Sequence, residues 1–464
     1  MRRIKNIHFV GVGGVGMAGI AEVLLNQGYT VSGSDVADNN LTKRLEWLGA
    51  NIYRGHQADN VAGKDVVVIS SAIDENNIEV VEAIANHIPV VPRALMLGEL
   101  MRFQYGIAVA GTHGKTTTTS LVSTIFAEAE LDPTFVIGGK LNSAGSNAKL
   151  GTGKYFIAEA DESDASFLHL NPMIAIVTNI DQDHMETYQN NFEILKQTFI
   201  DFIDNLPFYG LAVLCLDCSV IESILPNITR PYVTYGFHPD ADIRAIDYQQ
   251  NGTQSCFEVI CKEGSETRSI PVTMNLPGAH NVCNALAAIA VARQENIEPK
   301  FIAGALEKFA GIGRRFQIYN EIEFSEKNTT LVDDYGHHPA EIRCTISAAR
   351  KAWPDKRILM VFQPHRYSRT KQLFDDFVDV LSDVDALCLL EVYSAGESPV
   401  PNYDGRALSN AIRERKRVEP VFVSHVEKLI TVLNDITCAE DIILMQGAGS
   451  IGQLVQNFTQ QKRV

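Results

Sequence analysis

No apolar run in this 464-residue chain reaches the roughly 18–20 residues that a helical membrane span requires. Nor does a basic-plus-apolar leader open it: Met1 to Lys5 passes straight into the strand-like Ile7-His8-Phe9-Val10. Positive charge is in deficit, with 40 Lys and Arg against 56 Asp and Glu and a net charge of −16. That balance argues against nucleic-acid binding, which needs a basic face. Cysteine is sparse and scattered, at 215, 218, 256, 261, 283, 344, 388 and 438. The scatter points to reduced thiols in place of a disulfide framework, and a cytoplasmic protein with no membrane insertion is expected. Cys215-x-x-Cys218 has no second pair nearby and reads as a buried strand end, not as a zinc or redox site. Short repeats and low-complexity tracts are lacking too. What remains is an ordinary globular composition, 45% apolar and 21% charged, long enough for about two to four domains. In so acidic a chain, anionic substrates must be gathered by particular Lys and Arg residues.

Strand-like and helix-like segments alternate, which predicts α/β architecture with parallel sheets. Block one, 1–104, has strand candidates at 6–12, 29–34, 65–70 and 88–91, with a helix over Val15 to Asn26. Block two, 105–313, has candidates at 154–160, 173–179 and 210–216, then a polar β-like stretch, 241–274. Within that stretch Asn251-Gly252 signals a hairpin turn. An Ala-rich helix is expected over Asn281 to Arg293, and Gly311-Ile312-Gly313 is a hinge candidate. Block three, 314–464, has candidates near 329–334, 357–363, 385–391, 420–424 and 441–447.

Gly111-Thr112-His113-Gly114-Lys115-Thr116-Thr117-Thr118 follows the apolar Ile107 to Ala110 and precedes a helix-like segment, Ser120 to Ala129. A strand, a Gly-rich turn and a helix make an anion site: backbone N–H groups converge and the helix N-terminus adds partial positive charge. A Lys in the turn reaches terminal phosphates and the next hydroxyl suits Mg2+. A nucleoside triphosphate is therefore expected. The longer G-x-x-x-x-G-K-[ST] pattern would need glycine where Val109 stands. The shortened loop resembles that of the Mur ligase and folylpolyglutamate synthetase superfamily, ATP-dependent amide-forming ligases.

Gly11-Val12-Gly13-Gly14-Val15-Gly16 fits G-x-G-x-x-G after a strand, and Asp35 follows 19 residues past Gly16. Alone this is a dinucleotide fingerprint, with glycines approaching a pyrophosphate and an acid on a ribose hydroxyl. An NAD(P)-dependent oxidoreductase is one reading. The triphosphate loop about 100 residues on is unneeded by a simple dehydrogenase. The continuation Met17-Ala18-Gly19-Ile20-Ala21-Glu22, with Gly33-Ser34-Asp35, resembles a Mur ligase turn that receives the pyrophosphate of a UDP-sugar.

Further strings follow in family order: Glu159-Ala160-Asp161-Glu162-Ser163-Asp164, Thr178-Asn179-Ile180-Asp181, and Asp183-His184-Met185-Glu186-Thr187-Tyr188. Then come His280-Asn281 with Asn284-Ala285, Gly313-Arg314-Arg315-Phe316, and Asp333-Asp334-Tyr335-Gly336-His337-His338-Pro339. Pro364-His365-Arg366-Tyr367-Ser368-Arg369-Thr370 and Gln446-Gly447-Ala448-Gly449-Ser450-Ile451-Gly452 complete the set. Together they resemble the Mur ligase family over the whole chain, and within it the branch that adds L-alanine to UDP-N-acetylmuramate. The resemblance implies three domains: a Rossmann-like N-terminal domain, a central P-loop-type ATPase domain and a C-terminal Rossmann-like α/β domain. It implies peptidoglycan-precursor synthesis, in which the lactyl carboxylate of UDP-N-acetylmuramate joins L-alanine through an acyl phosphate. ATP is the cosubstrate. A murein tripeptide recycling ligase using the same nucleotide is the alternative. A monomer or homodimer acting on small molecules is expected.

The residues suit that chemistry. A γ-phosphate meeting a carboxylate needs its like charge neutralised, which Lys115 and Mg2+ supply. The Thr116 hydroxyl and Glu159 carboxylate are hard oxygen donors for a first ion. By resemblance His184 helps hold a second ion, where Mn2+ would also serve. ATP is expected on Gly111, Thr112, His113, Gly114, Lys115, Thr116, Thr117 and Asn179; the resemblance implies Asn281 at adenine, with Asp334 a candidate for the ribose and Arg315 a further ATP candidate. The UDP-sugar is assigned to Gly11, Gly13, Gly14, Val15, Gly16, Ser34, Asp35, His56, Ser70, Ser71 and Arg93. Arg366 and Arg369 are candidates to grip the amino-acid carboxylate, and the resemblance adds Tyr335, His337 and His365. His337 is a candidate base by pKa range, with phosphate oxygens or water as alternatives.

Overall fold

The computed structural model describes the chain except for residues 2, 71, 264–265 and 461–464. Among the described residues the strands, mostly parallel, form three sheets, with helices in the connections. Among the described residues, no helix is long and apolar enough to cross a membrane.

The first sheet comprises β1 (Asn6–Val10), β2 (Thr30–Asp35), β3 (Asn51–Arg54), β4 (Val66–Ile69) and β5 (Val90–Pro92). Their order is β3-β2-β1-β4-β5, and every neighbouring pair is parallel. The chain leaves β1 toward β2 on one side and reaches β4 on the other. The carboxyl end of β1 is thus a topological switch point, where open α/β sheets bind ligands. The helix Val15–Asn26 begins there, where the fingerprint placed it, and is buried from Met17 to Leu24. Burial on both faces follows from a second neighbour: a Cβ on Gly19 would touch Val136 and Ala148 of the next sheet at 3.0 and 3.4 Å.

The second sheet comprises β6 (Tyr105–Ala110), β7 (Thr134–Leu141), β8 (Ser146–Lys149), β9 (Tyr155–Glu159), β10 (Ile174–Val177), β11 (Leu211–Cys215), β12 (Tyr232–Gly236), β13 (Ile243–Asn251), β14 (Gln254–Glu263) and β15 (Glu266–Met274). The order is β15-β14-β13-β12-β11-β10-β6-β9-β7-β8. β6 lies between β10 and β9, parallel to both, with Ala110 opposite Val177 and Val109 opposite Glu159. The strings starting at Glu159 and Thr178 therefore emerge on either side of the Gly111 turn. The expected turn at Asn251-Gly252 joins β13 to β14, Gly252 having φ +59°. The helix after the turn spans Lys115–Glu128, starting five residues earlier than the expected Ser120. Its Thr- and Ser-rich first turns bury well because hydroxyls of Thr119, Ser120, Ser123 and Thr124 donate to carbonyls four residues back.

The third sheet comprises β16 (Gln317–Phe324), β17 (Lys327–Asp334), β18 (Ile358–Phe362), β19 (Ala386–Leu390), β20 (Pro420–Val423) and β21 (Ile442–Gln446). Its order is β16-β17-β21-β18-β19-β20. β16 pairs antiparallel with β17; the other pairs are parallel. Apolar residues on its two faces pack into separate cores, one around Val332, Met360 and Leu444 and one around Leu331, Val361 and Ile443. This alternation makes each central strand an almost unbroken apolar run.

The chain divides into two compact units. One contains Met1–Ile246, Glu258–Val272 and Cys283–Ala310; the other contains Asp247–Phe257, Thr273–Val282 and the chain from Gly311 onward.

Candidate active site

The turn after β6 is built for close approach. Gly111 has φ +128°, and a Cβ there would lie 2.1 Å from Thr178 Oγ1. Gly114 has φ +83°, and its Cβ would lie 2.5 Å from Asn284 Oδ1. Both conditions demand glycine. The string after β10 braces the turn. Asn179 accepts the His113 N–H at 2.8 Å and donates to the His113 carbonyl at 2.9 Å. The Thr178 hydroxyl donates to that carbonyl at 2.6 Å, and the Asp181 N–H donates to the Thr112 hydroxyl at 2.9 Å. The His113 ring lies 3.3 Å from Asp181. Asn284 meets the helix from the other side, accepting the Thr118 hydroxyl at 3.2 Å. Thr116 and Thr117 are buried in the first turn.

Lys115 Nζ donates to the Gly111 and Thr112 carbonyls at 2.7 and 3.1 Å and to Glu162 Oε2 at 2.7 Å. Burial works against its charge, but the Glu162, Asp161 and Glu159 carboxylates outweigh burial and hold its pKa above the ordinary value. Burial lifts the Glu162 carboxyl to about 7 against the pull of Lys115, with Asp161 adding to the rise. The Tyr188 hydroxyl donates to the Glu162 carbonyl and fixes this loop. Asp161 stays below its ordinary range because Lys115 and Arg93 together overcome its burial. Arg93 Nη2 lies 3.2 Å from Asp161 Oδ2, and Arg93 Nη1 would lie 3.1 Å from a Cβ on Gly16. Charged groups thus run from the glycine turn of the first sheet to the Gly111–Lys115 turn of the second.

Around the first turn, Gly11 has φ +80° and its Cβ would come within 3.6 Å of Ser70 Oγ. Asp35 accepts N–H groups of Gly13 at 2.8 Å and Ala37 at 2.9 Å, so it fastens the turn. Gly14, Val15 and Gly16 lead into the helix. Ser34 is buried, and its hydroxyl donates to Glu79 at 2.5 Å. His56 Nδ1 lies 3.0 Å from Ser34 Oγ and 2.9 Å from Glu79 Oε2. Asn60 donates to Glu79 at 2.6 Å, and His8 approaches it at 3.5 Å. Burial alone would raise the Glu79 pKa, but bonds from His8, Ser34, Asn60 and His56 bring it down to about 2. The expected Ser71 lies outside the described residues.

Glu159 ends β9, and its Oε1 accepts the Gly138 N–H at 2.6 Å. His184 has φ +53°; its N–H donates to Asp183 at 2.9 Å and its Nε2 lies 3.6 Å from Asp183 Oδ2. Glu159, opposite Val109 just before the Gly111 turn, and the Thr116 hydroxyl at the helix start are hard oxygen donors of the kind Mg2+ takes. His184 is a softer donor on the neighbouring turn.

In the second unit, Asp334 at the end of β17 receives N–H groups of Phe316 at 2.9 Å and Gly336 at 2.8 Å and the Gln446 amide at 3.0 Å. Burial is the main reason its pKa is raised. Arg314 and Arg315 each approach the Tyr335 ring at 5.1 Å. The His337 ring meets Tyr335 edge-on at 5.5 Å and His365 at 5.7 Å, and His365 stacks on Tyr393 at 5.5 Å. His337 Nδ1 lies 3.3 Å from the Tyr335 carbonyl, and its N–H donates to Glu341 at 2.8 Å. Buried Arg369 donates to the His365 carbonyl at 3.2 Å. Arg366 holds φ +71° with its N–H on the Tyr393 carbonyl. Asn281 donates to the Pro277 carbonyl at 2.8 Å, and burial lowers the pKa of neighbouring His280 to about 4. The five expected amino-acid residues thus share one cluster, which Tyr393 and Glu341 extend. Sequence reasoning assigns no role to those two, nor to Glu79, Asp161, Glu162 and Asn284. Acids in the motif string marked Asp161 and Glu162; Asn284 was marked only by its string.

Three family models match successive stretches: "Mur ligase family, catalytic domain" over 6–105, "Mur ligase middle domain" over 109–292, and "Mur ligase, glutamate ligase domain" over 314–449. The chain is similar to the UDP-N-acetylmuramate-alanine ligase MurC of Thermotoga maritima, with 29% identity, 99% of each chain covered and a TM-score of 0.83. A murein peptide ligase of Psychrobacter arcticus shares the fold at 24% identity, 98% of each chain and a TM-score of 0.71. The UDP-N-acetylmuramate:L-alanyl-gamma-D-glutamyl-meso-diaminopimelate ligase of Neisseria meningitides is 28% identical, covering 67% of this chain and all of its own, with a TM-score of 0.61. With its three consecutive modules matched in order, the chain belongs to the Mur ligase family, whose members are ATP-dependent ligases.

Proposed function

We propose that the protein joins L-alanine to the lactyl carboxylate of UDP-N-acetylmuramate, converting ATP to ADP and phosphate, in the cytoplasmic synthesis of peptidoglycan precursor. The observation that carries this reading is Arg93, placed between Gly16 of the sugar-nucleotide turn and Asp161 beside Lys115. The glycine turn at 11–16 would receive the UDP pyrophosphate on backbone N–H groups, with His56, Ser70 and Arg93 around the nucleotide. Ser34, Asp35 and Glu79 would position that pocket from beneath.

ATP would lie on residues 111–117. Lys115 would exchange Glu162 for the γ-phosphate and stabilise charge on the transferring group. Thr116 and Glu159, with His184 nearby, would hold Mg2+, which supplies charge neutralisation between phosphate and carboxylate. Asn281, Arg315 and Asp334 are assigned to the nucleoside. The lactyl carboxylate takes the γ-phosphoryl group as an acyl phosphate. Arg366 and Arg369 would bind the alanine carboxylate, with Tyr335 and His365 shaping the cluster. His337, whose Nδ1 lies beside the Tyr335 carbonyl, would take the proton from the incoming amine.

The test is phosphate release with ATP, Mg2+ and UDP-N-acetylmuramate, with and without L-alanine. Release requiring both, with a UDP-muramyl-alanine mass, supports the reading. Turnover with the murein tripeptide in place of alanine moves the assignment to the recycling ligase.

A further inference from the structure

Lys115 has no donor to spare. An ammonium carries three N–H groups, and the Gly111 carbonyl, the Thr112 carbonyl and Glu162 Oε2 take one each. A terminal phosphate must displace one of these acceptors to reach the lysine. The two carbonyls belong to the turn itself. Gly111 is wedged against Thr178, and the Thr112 N–H is held by the Asn179 carbonyl at 3.1 Å. Glu162 is the acceptor that side-chain rotation alone can move.

That carboxylate cannot move far. The Glu162 carbonyl accepts the Tyr188 hydroxyl and the Ala165 N–H, the latter at 3.0 Å, so the main chain beneath it is pinned. Only 4% of the Glu162 side chain is exposed, against 17% for Lys115. The lysine is open to an incoming anion, whereas a displaced Glu162 stays enclosed. Its surroundings favour the charged form only while Lys115 is in contact. Burial is the main cause that lifts the carboxyl to about 7, Lys115 pulls it down, and Asp161 pushes it up. Burial, then the charges of Glu162, Asp161 and Asp164, hold the neighbouring Tyr188 phenol above its ordinary range. Arg93, which could offset this charge, is engaged with Asp161 at 3.2 Å.

We propose that Glu162 stands in for the terminal phosphate of ATP: it holds Lys115 until the nucleotide arrives, then yields the lysine and takes a proton from solvent. The proposal deepens the ATP reading above and rests on it. A buried carboxylate that loses its cation and gains a phosphate nearby is destabilised twice, by burial and by like charge. Neutralising it by one proton removes both penalties. Nucleotide binding therefore consumes a proton wherever Glu162 starts ionised. Affinity should fall as the pH rises past about 7, by up to about tenfold per pH unit.

The experiment is calorimetry of the full-length protein with ATPγS and Mg2+ at about pH 8, where Glu162 starts ionised, in Tris and in HEPES, whose ionisation enthalpies differ. Wild type should take up close to one proton per nucleotide bound. Glu162→Gln, which cannot ionise, should take up none and should bind ATPγS about tenfold tighter or more, since a neutral amide competes less for the ammonium. AMP ends at its α-phosphate, so its affinity should be equal in the two proteins. The fall in wild-type affinity with rising pH checks the same step without any variant. No proton uptake by wild type, uptake that persists in Glu162→Gln, or equal tightening for AMP would overturn the proposal. Failure of ATPγS to bind either protein would instead overturn the ATP reading on which the proposal rests.

Discussion

Arg93 reaches Asp161 at 3.2 Å while its guanidinium packs against Gly16. A residue at the start of one helix therefore touches the first glycine turn and the acidic loop at Lys115. Loss of a charged hydrogen bond of about 1.5–3 kcal/mol corresponds to about 10–100-fold. Arg93→Ala should raise the KM for UDP-N-acetylmuramate by about that factor, with the KM for ATP little changed. Steady-state kinetics checks this, and an unaltered sugar-nucleotide KM would contradict it.

Lys115→Ala should lower kcat by about a thousandfold or more, since it removes the cation that faces the developing phosphoryl charge. Circular dichroism should show the fold intact. Lys115→Arg should not restore activity, because a planar guanidinium does not fit a loop shaped around a point charge. Wild-type turnover in the alanine variant would remove the phosphate-loop assignment.

Gly114→Ala forces a Cβ to 2.5 Å from Asn284 Oδ1 at φ +83°. A strained backbone of this kind costs about 1–3 kcal/mol, and ATP binding should weaken in parallel. Asn284→Ala removes the obstructing amide, so the double variant should lose less stability than the sum of the singles. Denaturant melts of the four proteins read the coupling, and strict additivity would be evidence against the contact.

The buried Glu79 carboxyl titrates near 2 in the folded protein, against an ordinary 4.5. Its depressed pKa means the unfolded chain binds the extra proton between those values. The stabilisation is fully present above pH 4.5 and is lost as the pH falls toward 2, with an upper scale of about 3 kcal/mol. Glu79→Gln should therefore be less stable than wild type near neutrality, and the gap should narrow as the pH falls below 4.5. Urea melts across that range test the sign; a gap that widened in acid would refute it.

The central strands were legible because each is an apolar run ending in glycine or a polar string, as at β1, β6 and β21. The helix Val15–Asn26 was legible from the glycine fingerprint that starts it. Strand β3 escaped because Asn51–Arg54 lies at the sheet edge with half-exposed or exposed residues throughout. Strand β16, outermost in its sheet, escaped because polar residues interrupt its apolar ones and only Ile322 and Phe324 are buried. The helix start at Lys115 was masked by threonines, whose low propensity is offset by hydroxyl bonds that only the folded turn reveals. Glu79 carries no motif: it reads as a surface helix acid, and only the fold surrounds it with His8, Ser34, His56 and Asn60. Tyr393 likewise enters the cluster only through the pairing of its loop with His365.

The central claim, carboxylate activation by ATP at one site, is tested most directly with UDP-N-acetylmuramate carrying oxygen-18 in its lactyl carboxylate. Incubated with ATP, Mg2+ and L-alanine, the protein should release phosphate bearing one label from that carboxylate, in step with UDP-muramyl-alanine. Product formed with unlabelled phosphate would contradict the acyl-phosphate route, and phosphate released without the sugar nucleotide would contradict the ligase assignment itself.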